Sequence, residues 1–319
     1  MSEGSVKISL GLPVYNGENY LVNSLDSILA QTFEDFELII SDNGSTDRTE
    51  DICREYASND TRIKYFRFST NRGATENFNS TVDRARGPFF KWCSHDDELH
   101  PRYLEECLPL IENHSNVVLS HSRTMIIDSA GVILHKENYP LNVCHDDPLK
   151  RFDDICVEGH DCILVFGIYR TEVLRKSPMI KDYVGSDRVL LGHIALLGEI
   201  VESPKYLFRR RHHIETSTFI DQRQGRLAWF NPDLAGKLYM PNWRLFFEFE
   251  KLAFDPGRPL GQRVGIFIVA LKYGVRRRKY LVVDVSQYTR LLLRKSKYVS
   301  WLYYHLKGLK GLKGLKGSR

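Results

Sequence analysis

The chain predicts an α/β fold: a mostly parallel sheet flanked by helices, with a basic helical extension at the C-terminus. Three observations predict it. Apolar runs of strand length alternate with segments of helical period over the first 128 residues; polar clusters follow three of those runs; and positive charge collects after residue 255. Strands alternating with helices of this length build a parallel sheet covered on both faces.

Residues 8–12 read as the first strand, after which Tyr20, Leu21, Leu25, Ile28 and Leu29 recur at helical spacing. Residues 36–40 form a second apolar run, rich in β-branched side chains. Asp47-x-x-Glu50 has the form of a capping box ahead of Ile52 and Tyr56. Residues 63–68 give a third strand, and residues 74–85 a helix that Gly87 and Pro88 end. Residues 89–93 give a fourth strand, 101–112 a helix opened by Pro101, and 117–127 another strand. Residues 129–160 are polar, with scattered Gly, Pro and Asp, and read as a loop-rich crossing. A helical pattern returns at 187–197 and a strand pattern at 205–211; beyond 226 the chain is aromatic and helical, then basic. The expected division is 1–128, 129–225 and 226–319. Leu-Lys-Gly repeats four times over 306–317. A glycine every third residue costs about 1 kcal/mol each inside a helix, so a mobile tail is expected there.

With 319 residues, 42% hydrophobic and 27% charged, the composition is that of a globular chain with a real core. No basic n-region with an apolar stretch opens the chain, and the apolar run at 264–271 is too short to span a bilayer. Cys53, Cys93, Cys107, Cys144, Cys156 and Cys162 show neither a C-x-x-C pair nor a zinc spacing, so reduced thiols in a cytoplasmic protein are expected. The formal charge of +5 is divided unevenly. Residues 255–319 carry 16 Lys/Arg against 2 Asp/Glu, a net of +14, and the remainder carries 29 against 38, a net of −9. An acidic body with a basic tail points to an anionic partner for the tail.

The segment Lys91-Trp92-Cys93-Ser94-His95-Asp96-Asp97-Glu98 places two adjacent carboxylates after the fourth strand, an arrangement suited to a divalent cation. Pro13-Val14-Tyr15-Asn16 and Ser41-Asp42-Asn43-Gly44-Ser45-Thr46-Asp47 also follow apolar runs. If those runs are neighbouring parallel strands, all three clusters open onto one crevice, where an open α/β sheet binds its ligand. The same residues have structural uses: Asp-Asn-Gly is turn chemistry, and acids favour the first turn of a helix.

Together with Asn71-Arg72-Gly73, Asn77 and Ala85-Arg86-Gly87, these motifs resemble the family 2 glycosyltransferases of GT-A fold in order and spacing, over residues 6–217. The resemblance implies a nucleotide-diphosphate sugar donor, a glycan or lipid-linked acceptor, inversion at the sugar, and Mn²⁺ or Mg²⁺ as cofactor. It implies that Pro13 and Tyr15 line the base pocket, that Asp42 accepts a hydrogen bond from the base or ribose, and that Arg72 reaches the diphosphate. Asp97 becomes the direct metal ligand, with Asp96 at the ribose or at the second metal position. Common members carry Asp-x-Asp-Asp here; in this chain the first position is Ser94. Asp187, in Gly185-Ser186-Asp187, matches the family's catalytic base, with Asp182 and Glu172 as rivals and a simple N-cap as the structural alternative. Arg211, His213 and Ser217 fit the family's late Arg-x-His-x-x-x-Ser pattern, implying a diphosphate contact for Arg211 and a place in the metal shell for His213. Arg210, His212 and Thr216 are the competing register.

A dinucleotide dehydrogenase and a P-loop enzyme are disfavoured, since neither G-x-G-x-x-G nor a Walker loop follows the first strand. Arg276, Arg277, Arg278 and Lys279, with the cations and aromatics of residues 294–304, predict peripheral contact with an anionic membrane surface at its inner face. Nucleic acid is disfavoured as partner, because the basic patches lack a recognised nucleic-acid fold. The alternative function is a catalytically inactive GT-A module that binds a nucleotide or a partner.

Overall fold

A computed structural model describes residues 6–137, 143–157, 161–213, 225–235, 237 and 239–295. The first half runs β1 (Ile8–Val14), α1 (Leu21–Leu29), β2 (Phe36–Asp42), α2 (Thr49–Asn59), β3 (Ile63–Arg67), α3 (Ala74–Asp83), β4 (Phe89–Trp92), β5 (Glu98–Leu99), α4 (Tyr103–Glu112) and β6 (Val117–Ile127). There follow β7 (Ile133–Lys136), α5 (Pro148–Val157), β8 (Ile168–Arg170), α6 (Thr171–Arg175), α7 (Ser186–Leu197) and β9 (Glu199–Arg211). The chain continues through α8 (Gly225–Phe230), α9 (Pro241–Ala253), α10 (Leu260–Arg276) and α11 (Arg278–Lys295).

The strands form one sheet in the order β3-β2-β1-β4-β8-β6-β9-β5, with β7 hanging on β6. β3, β2, β1 and β4 are mutually parallel, β8 is antiparallel to both its neighbours, and β6 and β9 are parallel. All seven residues of β1 and of β2 are buried, which explains their unbroken apolar runs: strands covered on both faces have no polar side. Leu21, Leu25, Ile28, Leu104, Leu108 and Ile111 pack one face of the sheet through α1 and α4. Val82, Leu190, Leu191 and Ile194 pack the other through α3 and α7. A third cluster joins α5 and α7 to α9 and α10 around Phe152, Tyr183, Phe249, Ile266 and Tyr273.

Two expectations are corrected. The 129–160 stretch is more than loop: it carries β7 and α5, and α5 buries Arg151, Phe152, Ile155 and Cys156. All four share one helical face, but one of them is an arginine, and the Asp and Pro residues before them mask the pattern. The capping box at Asp47 also does not close. Asp47 accepts from the Thr49 N–H (3.0 Å) and, with its other oxygen, from the Glu18 N–H (3.0 Å), while Glu50 turns away to Arg54 (2.7 Å) and Arg67 (2.9 Å). A guanidinium outcompetes a backbone N–H for that carboxylate because the contact is charge-assisted. All six cysteines are free thiols and five are buried. Among the described residues, no helix is long and apolar enough to cross a membrane. The Leu-Lys-Gly repeats lie outside the described residues.

Candidate active site

The parallel pairing of β1 with β2 aligns Val14 with Asp42, so the loops leaving both strands emerge side by side. They are stitched together. Asn16, in the left-handed region (φ 51°), donates its N–H to Ser45 Oγ (2.9 Å) and accepts from the Thr46 N–H (2.9 Å) through its side chain. The Gly17 N–H goes to Thr49 Oγ1 (2.8 Å), and Glu18 Oε2 receives the Arg48 N–H (3.0 Å). A bare loop would leave these donors to water; here the polar cluster after β2 satisfies them and fixes the loop after β1. Asn43 performs the same service for the loop before α3. Its Oδ1 accepts from the Arg72 N–H (2.9 Å), and its amide donates to Asn71 Oδ1 (2.9 Å) and to the Gly73 carbonyl (3.2 Å).

The acid pair sits between β4 and β5, where β9 closes over it. Asp97 Oδ1 accepts the Arg211 N–H (2.9 Å), and Arg211 Nε donates to the Asp96 carbonyl (2.9 Å). The rest of the Arg211 guanidinium goes to the carbonyls of Asp128 (3.0 Å) and Ser129 (3.1 Å) and to the Glu98 carboxylate. Asp96 accepts from Ser94 Oγ, and its Oδ2 lies 2.9 Å from His213 Nε2. The His213 ring in turn rests on Tyr20, with centroids 4.6 Å apart. Burial and then the Asp96 charge push the Asp97 carboxyl well above the usual carboxylate range. Burial also acts to raise Asp96, but the hydrogen bond from His213, the His95 charge and the Ser94 bond outweigh it and hold Asp96 low. A buried carboxyl beside a partly buried one, the buried one inclined to keep a proton, is a donor set that a divalent cation fits. Among the described residues, no group of three or more His, Cys, Asp or Glu side chains converges to hold a metal.

A cleft of about 700 Å³ opens above these elements, walled by Pro13 and Tyr15 to Tyr20 on one side, by Asp96, Asp97, Arg210, Arg211 and His213 on another, and by Asn77, Phe78, Phe166 and Trp229. Of the residues expected at the site, the structure gathers Pro13, Tyr15, Asp96, Asp97, Arg211 and His213 in this one cleft. Three others stand apart. Asp42 is 0% exposed, its oxygens occupied by the Ser45 N–H (2.8 Å), the Tyr65 hydroxyl (2.7 Å) and Arg67 Nε (3.2 Å). Arg72 pairs with Glu76 (2.6 Å) over the Phe68 ring and faces a second cavity of about 540 Å³ on the outer side of α3, together with Asp182. Asp187 lies in the first turn of α7, half-buried; burial first and then the Asp187 charge raise the Cys162 thiol, and Arg210 of the cleft wall acts on the same thiol in the opposite sense. Glu172 opens the short helix α6. Ser217 and Thr216 lie outside the described residues; Arg211 and His213 are the pair that meets the acids.

Sequence reasoning missed Phe166 and Trp229 as parts of the site, and named Asn16 and Arg210 without giving either its place in the cleft. An asparagine two residues past the end of β1 is a readable signal for the left-handed turn that Asn16 makes. Phe166 and Trp229 had none, because only tertiary folding brings them to the cleft. Lys91 was missed too. In mid-strand it is wholly buried, donating to the carbonyls of Phe166 and of Trp92 (3.2 Å) with its ammonium over the Tyr103 ring (4.5 Å). It thereby ties β4 to the segment that carries Phe166 into the cleft.

Sheet order, cleft and acid pair have the architecture of the GT-A fold. The chain belongs to glycosyl transferase family 2, whose model matches residues 9–177. It is 36% identical over 109 residues to an uncharacterized glycosyltransferase of Rickettsia typhi, a match covering 34% of this chain and a third (33%) of that protein. It is 27% identical over 232 residues to an uncharacterized glycosyltransferase of Haemophilus influenzae, covering 69% and 70% of the two chains. Among solved structures, S. aureus TarS in complex with UDP-GlcNAc superposes with a TM-score of 0.61 at 16% identity, over 89% of this chain and 80% of that one. The mannosyltransferase PcManGT from Pyrobaculum calidifontis, in complex with GDP-Man and Mn²⁺, gives 0.55 at 14% identity, over 96% and 81%. These two likenesses bear on the fold.

Proposed function

We propose that the protein transfers a sugar from a nucleoside diphosphate, UDP foremost, to a hydroxyl of a glycan or lipid-linked acceptor, with inversion. The observation that carries this reading is the single cleft that gathers the loop after β1, the acid pair and the basic end of β9. UDP is favoured because TarS, of the same fold, binds UDP-GlcNAc. Pro13 and Tyr15 line the base side. Asp97 and Asp96 would hold Mn²⁺ or Mg²⁺, which when bound neutralises the charge that grows on a departing diphosphate. His213 orients Asp96, and Arg210 and Arg211 add positive charge to the same wall. Asp187 takes the proton of the acceptor hydroxyl; the freed oxygen attacks the anomeric carbon, and the bond to the diphosphate breaks with its electron pair leaving on the nucleotide. One displacement inverts the centre. The basic C-terminal region would meet an anionic membrane surface, with the enzyme peripheral at its inner face; the charge of +14 over residues 255–319 supports this.

Calorimetric titration of UDP, GDP, CDP and dTDP, with and without Mn²⁺, tests the donor site. Metal-dependent binding of one diphosphate is expected, weakened at least about tenfold in Asp97→Ala, since a charge-assisted contact contributes ~1.5–3 kcal/mol. Folded protein that binds none of them, or binds equally without metal and in the variant, overturns the reading. One observation favours binding without turnover: Asp187 is not among the residues that wall the cleft.

A further inference from the structure

α10 is apolar on both sides. Its inner residues Ile266, Val269, Ala270 and Tyr273 are buried in the third cluster. Gly265 lets it come so close to α5 that an added Cβ would sit 2.2 Å from Leu149 Cδ1. The outer side of such a surface helix is ordinarily polar. Here Leu260, Val264, Phe267, Ile268, Leu271 and Val275 are each between 37% and 73% exposed among the described residues. At about 100° per residue they fall within an arc of about 100°, a continuous stripe along a helix roughly 25 Å long. A monomer seldom leaves an apolar strip of that extent in water.

Charge selects what covers it. Arg263 and Lys272 beside the stripe are turned inward, to the Ala253 carbonyl (3.0 Å) and to Asp153 (3.1 Å), but its end runs into Arg276, Arg277, Arg278 and Lys279, within a region whose net charge is +14. A second copy of this face would bring that charge against itself. A nucleic acid would meet the charge but offer no apolar phase to the stripe. An anionic bilayer offers both, phosphates at its surface and hydrocarbon just below. We propose that α10 lies along the headgroup boundary of an anionic membrane, with Val264, Phe267, Ile268 and Leu271 facing the acyl chains and the flanking cations on the phosphates. This extends the membrane part of the function proposed above and does not depend on its chemistry.

The test is co-sedimentation of the full chain with phosphatidylglycerol/phosphatidylcholine vesicles, against phosphatidylcholine alone, for wild type and the triple variant V264S/F267S/L271S. Wild type is expected to bind the anionic vesicles and to keep part of that binding at about 0.5 M salt, where exposed charges are screened. The variant is expected to partition at least about tenfold more weakly, because three apolar side chains no longer leave water. Its UDP titration, thermal midpoint and mass by light scattering should match wild type. Unchanged partition of the variant would show that charge alone binds, and overturns the proposal. So would a dimer that the variant dissolves, meaning a second copy covers the stripe. A lowered thermal midpoint also overturns it, since the stripe would then pack on another segment of this chain, such as residues 296–319.

Discussion

Neither Asp42 nor Asp187 is among the residues that wall the cleft to which their motifs point. Asp-Asn-Gly-Ser after a strand implies a ligand contact, yet the Asp42 carboxylate is spent on Ser45, Tyr65 and Arg67 and supports the wall of the site from below. The residues that reach the cleft from that side are Asn43 and Asp47. Asp187 decides between catalysis and mere binding. Asp187→Asn keeps the shape of the side chain and removes its basicity, so turnover should fall by about 10²–10⁴ while calorimetric nucleotide binding stays as in wild type. Unchanged turnover would sink the assignment of Asp187 as base. Asp96 and Asp97 were legible because two other polar clusters also follow apolar runs, and the three together resemble one family's motifs. Lys91 was not, because a lysine within an apolar run gives no sign of whether its amine turns outward or is buried against two carbonyls.

Among the elements, legibility followed length and burial. β1, β2, β6, α1 and α7 announced themselves by long apolar runs or helical period. β5 has two residues and β8 three, too few to carry a period, and both exist because longer neighbours offer them a ladder. The entry to α3 depends on one residue of another kind. Gly73 has φ +87°, and an added Cβ would lie 2.3 Å from the Phe230 carbonyl oxygen, so the loop before α3 and the end of α8 meet where no side chain fits. Gly73→Ala should therefore destabilise the fold by about 2 kcal/mol or more, read as a lowered urea midpoint with an unchanged slope. It should also weaken nucleotide binding, since Asn71, Ala74 and Trp229 all wall the cleft. A variant as stable as wild type would mean that the Phe230 segment yields without cost.

At the scale of the molecule, three apolar clusters among the described residues hold two helical layers and the C-terminal helices to one sheet. Phe249 is the keystone of the third: fully buried, it packs edge-on against Phe152 of α5 (5.9 Å) and Tyr273 of α10 (5.2 Å). Phe249→Ala should cost about 3–5 kcal/mol, the range for emptying a buried aromatic site, and lower the thermal midpoint accordingly. A loss under about 1 kcal/mol would show that α9 and α10 contribute little to the stability of the rest.

By itself the sequence determined the alternation of strand and helix, the three polar clusters after strands, the acid pair, and the division between an acidic body and a basic end. These are local properties: period, turn chemistry and charge are written in consecutive residues. Only the tertiary structure decided that Asp42 is buried, that Arg72 faces a second cavity, that Arg211 and His213 close on Asp97 and Asp96, and that α10 keeps an apolar face outward. Each depends on which residues distant in the chain come to share a surface. A side chain's partners are set by the packing of sheet and helices around it, and no stretch of sequence encodes that packing alone.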